Sequence, residues 1–461
     1  MKKRLSIIAL LLLFTLMLAS CDSLLGVLPA PMTANQVVRR MNTRLNGLQS
    51  YRIDVTGNIV AYADYKKITG TLTGVAIEDI GDGKDDYYTY IEMTNKSSVG
   101  SSGDSITVKT TEAYYDGYAY SYYSEGDTWR RLCSPMTKRE YQNYVADDSL
   151  LELDPEDCKN KELEKNDDGY VVKYSEYSKD AIEDFAQKVG LTEDMFGEDP
   201  VDLAVTIETD KDYYPKSFSM TIVFDDSDSY YQPEFTMTMT YSQFDEAERI
   251  TRTLSPDNYH EIDSLSLLKE VDEMIEDRIN AKKGSFTAKS EASAQFMTQS
   301  NKQTVTNQVS FERKGKDLTF EVEQKTDDQT TIITYADGKK REERDGIVTP
   351  ESMSNDEAEQ MLLALANDPL MGYNPNYVTD IKKTDEGFEI TMDVSSSSAL
   401  GQIITSSGAK FSSGRHTIEI KVDDGKITSI EHAYSASGSV SLGYGNTATL
   451  KYTGSSDVTF E

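Results

Sequence analysis

Phe235-Thr236-Met237-Thr238-Met239-Thr240-Tyr241 reads as a half-buried β-strand, and the rest of the chain can be parsed outward from it. Strand side chains alternate between two faces. Phe235, Met237, Met239 and Tyr241 therefore share one face, and Thr236, Thr238 and Thr240 share the other. Tyr51 opens a second alternating stretch over 51–62. Short Asp/Gly turns separate such stretches, and antiparallel pairing through tight turns is the simplest topology for them. The 29 tyrosines outnumber the 14 phenylalanines, which suits half-exposed strand faces better than a dry core.

The stretch over 51–62 is preceded by a helical pattern at 33–48. Val37, Met41, Leu45 and Leu48 fall on one helix face there. The same events restart near Asp263, where Leu267 or Leu268, Val271, Met274 or Ile275, and Ile279 form the stripe and Phe286 follows as Tyr51 did. Further matches keep their order. Tyr114-Tyr115-Asp116-Gly117 corresponds to Thr334-Tyr335-Ala336-Asp337-Gly338, and Asp168-Gly169-Tyr170-Val171-Val172 to Glu386-Gly387-Phe388-Glu389-Ile390. Short helices are predicted at 178–189 and 396–406, and mid-copy helices at 138–151 and 354–366. The last of these opens on a capping box from Ser354 to Glu357. Each copy closes on an alternating strand, at 235–244 and 447–452. These readings predict an α+β chain with two tandem copies, 33–250 and 263–461, joined by a linker at 251–262 that contains Pro256. Each copy is expected to be a strongly curved antiparallel sheet with helices across its concave face.

The N-terminus has a different character. Lys2, Lys3 and Arg4 precede an apolar run over 5–18, and Leu18-Ala19-Ser20-Cys21 follows. A basic start, an apolar middle and small residues before a cysteine make a signal peptide, and the positive end stays on the cytoplasmic side. Residues 18–21 resemble the lipobox of bacterial lipoproteins. That resemblance implies cleavage after residue 20, acylation of Cys21, a lipidated tether over 21–32, and localisation at the extracytoplasmic face of the cell membrane. Several acyl chains anchor firmly where one would be marginal, at about 0.8 kcal/mol per buried CH₂.

Charge narrows the partners. Lys plus Arg number 47 against 79 Asp plus Glu, a net of −32. Loss of the cationic signal leaves the mature chain at about −35, which repels nucleic acid and anionic lipid headgroups and is expected to keep the chain standing off the membrane it is tethered to. Once Cys21 carries lipid, Cys133 and Cys158 remain, in a compartment where a disulfide persists. A bridge would close a loop of about 25 residues and stabilise by about 3 kcal/mol, the alternative being two free thiols.

Little in the chain points to catalysis. It has no Gly-x-Ser-x-Gly elbow, and its three histidines, His260, His416 and His432, lack ligand spacing with a cysteine. The acidic pairs Asp147-Asp148, Asp225-Asp226 and Asp327-Asp328 read as solvated turns in so acidic a chain. Asp225-Asp226-Ser227-Asp228 lacks the glycine and terminal glutamate of a calcium loop. No catalytic, cofactor-binding or metal-binding residue is therefore assigned, and no cofactor is expected. Tyr114, Tyr115, Tyr118, Tyr120, Tyr122 and Tyr123 form the densest aromatic feature. They read as sheet packing, with sugar or peptide binding as the sharper alternative, and Trp129 lies just downstream.

The joins Gly47-Leu48-Gln49-Ser50-Tyr51 and Lys283-Gly284-Ser285-Phe286 each end a helix in a small or polar turn and begin a strand on an aromatic residue. Together with the element order, they resemble the lipoprotein-carrier-like (LolA-like) superfamily and the paired carrier-like domains of lipoproteins in Gram-positive bacteria. The resemblance implies half-barrels around an apolar pocket. The function expected from it is a non-enzymatic, membrane-anchored lipoprotein binding a hydrophobic ligand such as a lipid or acyl chain. The alternative is an envelope-surface interaction or scaffold protein that holds a protein or glycan.

Overall fold

The computed structural model describes residues 32–461 apart from 64–65, 82–85, 100–104, 147–157, 189–199, 226–232, 316, 368–371, 396–397 and 444–445. The signal peptide, Cys21 and most of the tether lie outside the described residues, as do Asp147-Asp148 and Asp226 to Asp228. Contacts divide the chain into two units. One comprises residues up to Ser124 together with Pro135–Tyr259, and the other comprises Glu125–Ser134 and His260–Glu461.

The α+β expectation is corrected. The protein is mainly β, with 62% of the described residues in strands and 18% in helices, and its strands form sheets of twelve and eleven. The six α-helices among the described residues are short, whereas several strands run to 14 residues or more. Backbone pairing therefore organises each unit, and the helices are added to it.

The first run of elements is α1 (Ala34–Leu45), β1 (Ser50–Ala63), β2 (Lys66–Asp79), β3 (Tyr88–Val99), β4 (Ser105–Tyr115), β5 (Tyr118–Glu125), β6 (Thr128–Pro135), α2 (Lys138–Ala146), β7 (Cys158–Asn166), β8 (Gly169–Tyr177), α3 (Lys179–Lys188), β9 (Pro200–Thr209), β10 (Pro215–Phe224) and β11 (Glu234–Ser242). A two-residue strand follows, β12 (His260–Glu261). The second run is α4 (Ser266–Ile279), β13 (Lys283–Phe296), β14 (Gln299–Lys314), β15 (Asp317–Thr326), β16 (Thr330–Ala336), β17 (Lys339–Arg344), β18 (Ile347–Ser352), α5 (Asn355–Ala366), β19 (Val378–Lys383), β20 (Gly387–Met392), α6 (Ala399–Ser406), β21 (Lys410–Asp423), β22 (Lys426–Gly443) and β23 (Asn446–Phe460). Leaving β12 aside, the two runs have the same order: a helix, six strands, a helix, two strands, a helix and three strands.

In the first unit the strand order is β5-β4-β3-β2-β1-β11-β10-β9-β8-β7. The eleven-stranded sheet repeats it as β18-β17-β16-β15-β14-β13-β23-β22-β21-β20-β19. β6 and β12, which pair in parallel, group by contacts with the second unit. The first strand of each run lies beside its last, with Ile53 opposite Tyr241 and Phe286 opposite Phe460. Hairpin turns match as well. Asp116-Gly117 and Asp337-Gly338 both hold positive φ at two successive residues, the mirror-image turn geometry that suits strand twist.

Sequence periodicity accounts for the burial. Phe235, Met237, Met239 and Tyr241 are buried while the threonines between them are not fully so. They join Val37, Val38, Met41 and Leu45 of α1 and Ile182, Phe185 and Ala186 of α3 in one core. Thr33 and Gln36 cap α1 reciprocally, and Ser354 and Glu357 cap α5, so orphan N-terminal donors are satisfied.

The expected Cys133–Cys158 bridge is absent, because both cysteines are free, buried thiols. Cys158 Sγ donates to the carbonyls of Asn160 at 2.8 Å and Ser175 at 3.0 Å. Burial, with Glu261 adding to it, pushes the Cys133 thiol up to about 11, and burial also raises Cys158. Thiolate is the reactive form, so both cysteines are expected to resist maleimide at pH 7.5 in the native chain and to label within minutes in guanidinium. Rapid native labelling, or a reductant-dependent shift on a denaturing gel, would contradict this assignment.

Candidate functional site

Register across the second unit's sheet assembles a feature that no single sequence segment displays. Lys289 (β13) lies opposite Asp457 (β23), Asp457 opposite Glu431 (β22), Glu431 opposite Glu419 (β21), Glu419 opposite Glu389 (β20), and Glu389 opposite Lys382 (β19). Four carboxylates thus stand in a row across four strands, with a lysine at each end. Like charges directly opposite each other disfavour a sheet, so the row needs cations to offset it. Lys421 Nζ lies 2.8 Å from Glu431 and 4.0 Å from Glu419. Glu291, one step along, is held by Lys289 at 2.9 Å and Lys302 at 2.8 Å, and these ammonium groups pull its carboxyl down to about 2.

This row, with Arg415, Thr417 and Asp380, lines an open cleft of about 620 Å³. The intervening residues Ile390, Ile418, Ile420, Ile430 and Val458 are buried. The charged face therefore points away from the apolar interior. Such a cleft suits a polar partner with donors to offer, because exposed carboxylates accept hydrogen bonds.

The buried side of the same strands carries a polar belt. His416 Nε2 and His432 Nδ1 are 3.1 Å apart, both rings are buried, and Ser290 Oγ donates to Ser456 Oγ at 3.3 Å nearby. Burial holds both imidazoles neutral, pulling His416 down to about 4 and His432 to about 3, the latter also through His416. The third histidine, His260, is exposed and its Nε2 is 3.2 Å from Asp380. Among the described residues no group of three or more His, Cys, Asp or Glu is arranged to hold a metal ion.

In the first unit the tyrosine cluster divides by environment. Tyr114, Tyr120 and Tyr123 are buried, while Tyr115, Tyr118 and Tyr122 are half-buried. Tyr114 packs against Tyr87 and Tyr141 with centroids 5.8 and 5.0 Å apart, and its hydroxyl donates to the Met136 carbonyl at 3.0 Å. Tyr87 and Tyr114 wall a second open cleft of about 600 Å³, with Asp116, Lys138 and Glu140 at its polar rim. Lys138 Nζ sits 4.4 Å from the Tyr87 centroid. Most of the cluster is thus packing, and the binding reading survives only where Tyr87 and Tyr114 meet the cleft. Trp129 is 60% exposed on β6, with the Arg131 guanidinium 5.7 Å from its ring centre. Asp327 and Asp328 lie in the exposed bend between β15 and β16, as a solvated-turn reading requires.

No family model matches the chain, and no curated protein matches it. Among solved structures it is similar to a protein assigned as AttH from Nitrosomonas europaea, at 9% identity over 90% of this chain and 93% of that one, with a TM-score of 0.15. It is also similar to the translocator domain of the autotransporter NalP from Neisseria meningitidis, at 7% identity over 91% and 93% of the two chains, with a TM-score of 0.11.

Proposed function

We propose that the chain is a non-enzymatic extracytoplasmic lipoprotein, held at the membrane through acylated Cys21, that uses its exterior faces to hold a polar partner, a protein or a glycan. One observation carries the reading: the use of space in each unit. The described interior of the first unit is filled by the apolar faces of α1 and α3 packed on strand residues such as Phe218, Phe224 and Phe235. The second unit buries Phe286, Phe388, Ile404 and Ile430, together with His416 and His432. The two clefts of about 620 and 600 Å³ are open, the first lined mainly by charged and polar residues and the second by Tyr87, Tyr114, Pro135 and Met136 with a charged rim. A lipid-binding site would instead be concave, largely apolar and enclosing.

Native mass spectrometry of the chain beginning at residue 22, with membrane lipids added, separates the two readings. The expected result is a bare protein mass with no lipid retained. Retention of lipid at defined stoichiometry would return the carrier-like function to first place.

A further inference from the structure

The solvent face of α1 stands out in so acidic a chain. Between Leu24 and Ile53 there is no Asp or Glu, while Arg39, Arg40, Arg44 and Arg52 all fall within that run. Val37, Val38, Met41 and Leu45 turn inward, which leaves Arg39, Arg40 and Arg44 exposed on the outer face of the helix.

Tyrosines extend this face. Arg40 Nη1 donates to the Tyr213 hydroxyl at 2.7 Å, and its guanidinium carbon lies 5.0 Å from the Tyr213 ring centre. Tyr213 stacks on Tyr170, with centroids 5.2 Å apart and planes 8° from parallel, and Lys165 lies 5.7 Å from the Tyr170 centroid. Arg44 donates to the Asp212 carbonyl at 3.1 Å and sits 5.6 Å from the Tyr214 ring centre. Lys211 belongs to the same turn, and Lys216 donates to the Asp168 carbonyl at 3.0 Å. Asp167, Asp168, Asp210 and Asp212 are interspersed, so the cations exceed the carboxylates here while the whole chain has the opposite balance.

The entry of the chain orients this patch. Met32, the first described residue, accepts from the Tyr213 hydroxyl at 3.6 Å, which places it against the aromatic stack. The eleven residue steps from Cys21 to Met32 span at most about 40 Å when fully extended. Guanidinium groups pair well with phosphate, and tyrosines favour the headgroup level of a bilayer.

We infer that this Arg39/Arg40/Arg44 and Tyr170/Tyr213 face docks on anionic phospholipid headgroups beside the anchor. The inference rests on the lipid-anchor reading. Each basic group near an anionic surface contributes about 1 kcal/mol, enough for three arginines to bias orientation once a tether removes the entropy of capture. The acidic residues that dominate the rest of the chain are repelled from the same surface.

The test separates docking from anchoring. Flotation of the full-length chain isolated with its native membranes reports the anchor, whereas docking is read on a chain beginning at Cys21 and coupled through that thiol to a maleimide lipid. Vesicles of phosphatidylcholine alone, or with phosphatidylglycerol, then carry the protein, and lysine acetylation is followed by peptide mass spectrometry. Lys165, Lys211 and Lys216 are expected to label about fivefold more slowly on the anionic vesicles, with the difference removed by 0.5 M salt. R39Q/R40Q/R44Q is expected to restore labelling of those lysines with equal coupling to vesicles. Equal labelling on both vesicle types overturns the inference. So does protection that appears without vesicles and grows with protein concentration, which would assign the face to a second copy.

Discussion

Replacing Gly387 by alanine is expected to destabilise the second unit by about 3 kcal/mol, lowering its melting temperature by about 6–12 °C. Gly387 opens β20 at φ +148°, and a Cβ there would lie 2.0 Å from the Ile420 carbonyl oxygen. No side-chain rotation relieves a clash with backbone, so the strand itself must move. Gly169 opens β8 at φ +147°, with a Cβ position 1.9 Å from the Thr209 carbonyl oxygen, and Gly169→Ala is expected to damage the first unit equally. Gly425 provides the control. Its φ is +71° but nothing lies within 4 Å, so Gly425→Ala should lose only about 1 kcal/mol. Thermal melts of the three variants decide the matter, and a G387A melt within 2 °C of the parent chain would refute the account.

Acid should loosen the second unit well above the pH at which carboxylates titrate. An unfolded histidine binds its proton near 6.5, whereas burial holds His416 at about 4 and His432 at about 3 in the fold. Below 6.5 the unfolded chain therefore takes up protons that the native one refuses, and stability rises with pH through this window. It is fully present above about pH 7 and falls by about 4 kcal/mol by pH 5, about 2 from each ring. Urea midpoints at pH 7.5, 6 and 5 measure the decline. H416L/H432L removes both sites and should flatten it; an unchanged slope in that variant would place the sensitivity elsewhere.

Element type was legible wherever one face of an element is buried. The 235–241 alternation, the α1 stripe and the Ser354–Glu357 cap all announce themselves locally, and the Asp168-Gly169 and Glu386-Gly387 pair marks a turn whose geometry recurs in both runs. The balance between helix and sheet was not legible. Strands such as β14, with Gln299, Ser300, Asn301, Lys302 and Gln303 all exposed, and β18, exposed along its length, carry no apolar period and read as loops. Their conformation comes from hydrogen bonds to neighbouring strands rather than from burial. In the sequence the few helical stripes therefore stand out more than the strands, which is why an α+β chain is expected from it. The carboxylate row was invisible for a related reason: Glu389, Glu419, Glu431 and Asp457 come from four separate strands, and only register places them side by side. The cysteine reading rested on compartment alone and contained no information about distance.

The pairing of β1 with β11, and of β13 with β23, also governs how the chain reaches its native state. In each run the earliest strand waits for the latest before the middle of its sheet can close, and loop-closure entropy must be met before those pairs give any return. Until residues 234–242 emerge, β1 lacks one of its two neighbours, and the same holds for β13 until residues 446–460 arrive. For the exported lipoprotein proposed above, that delay would keep either sheet from locking before its last strand has crossed the membrane.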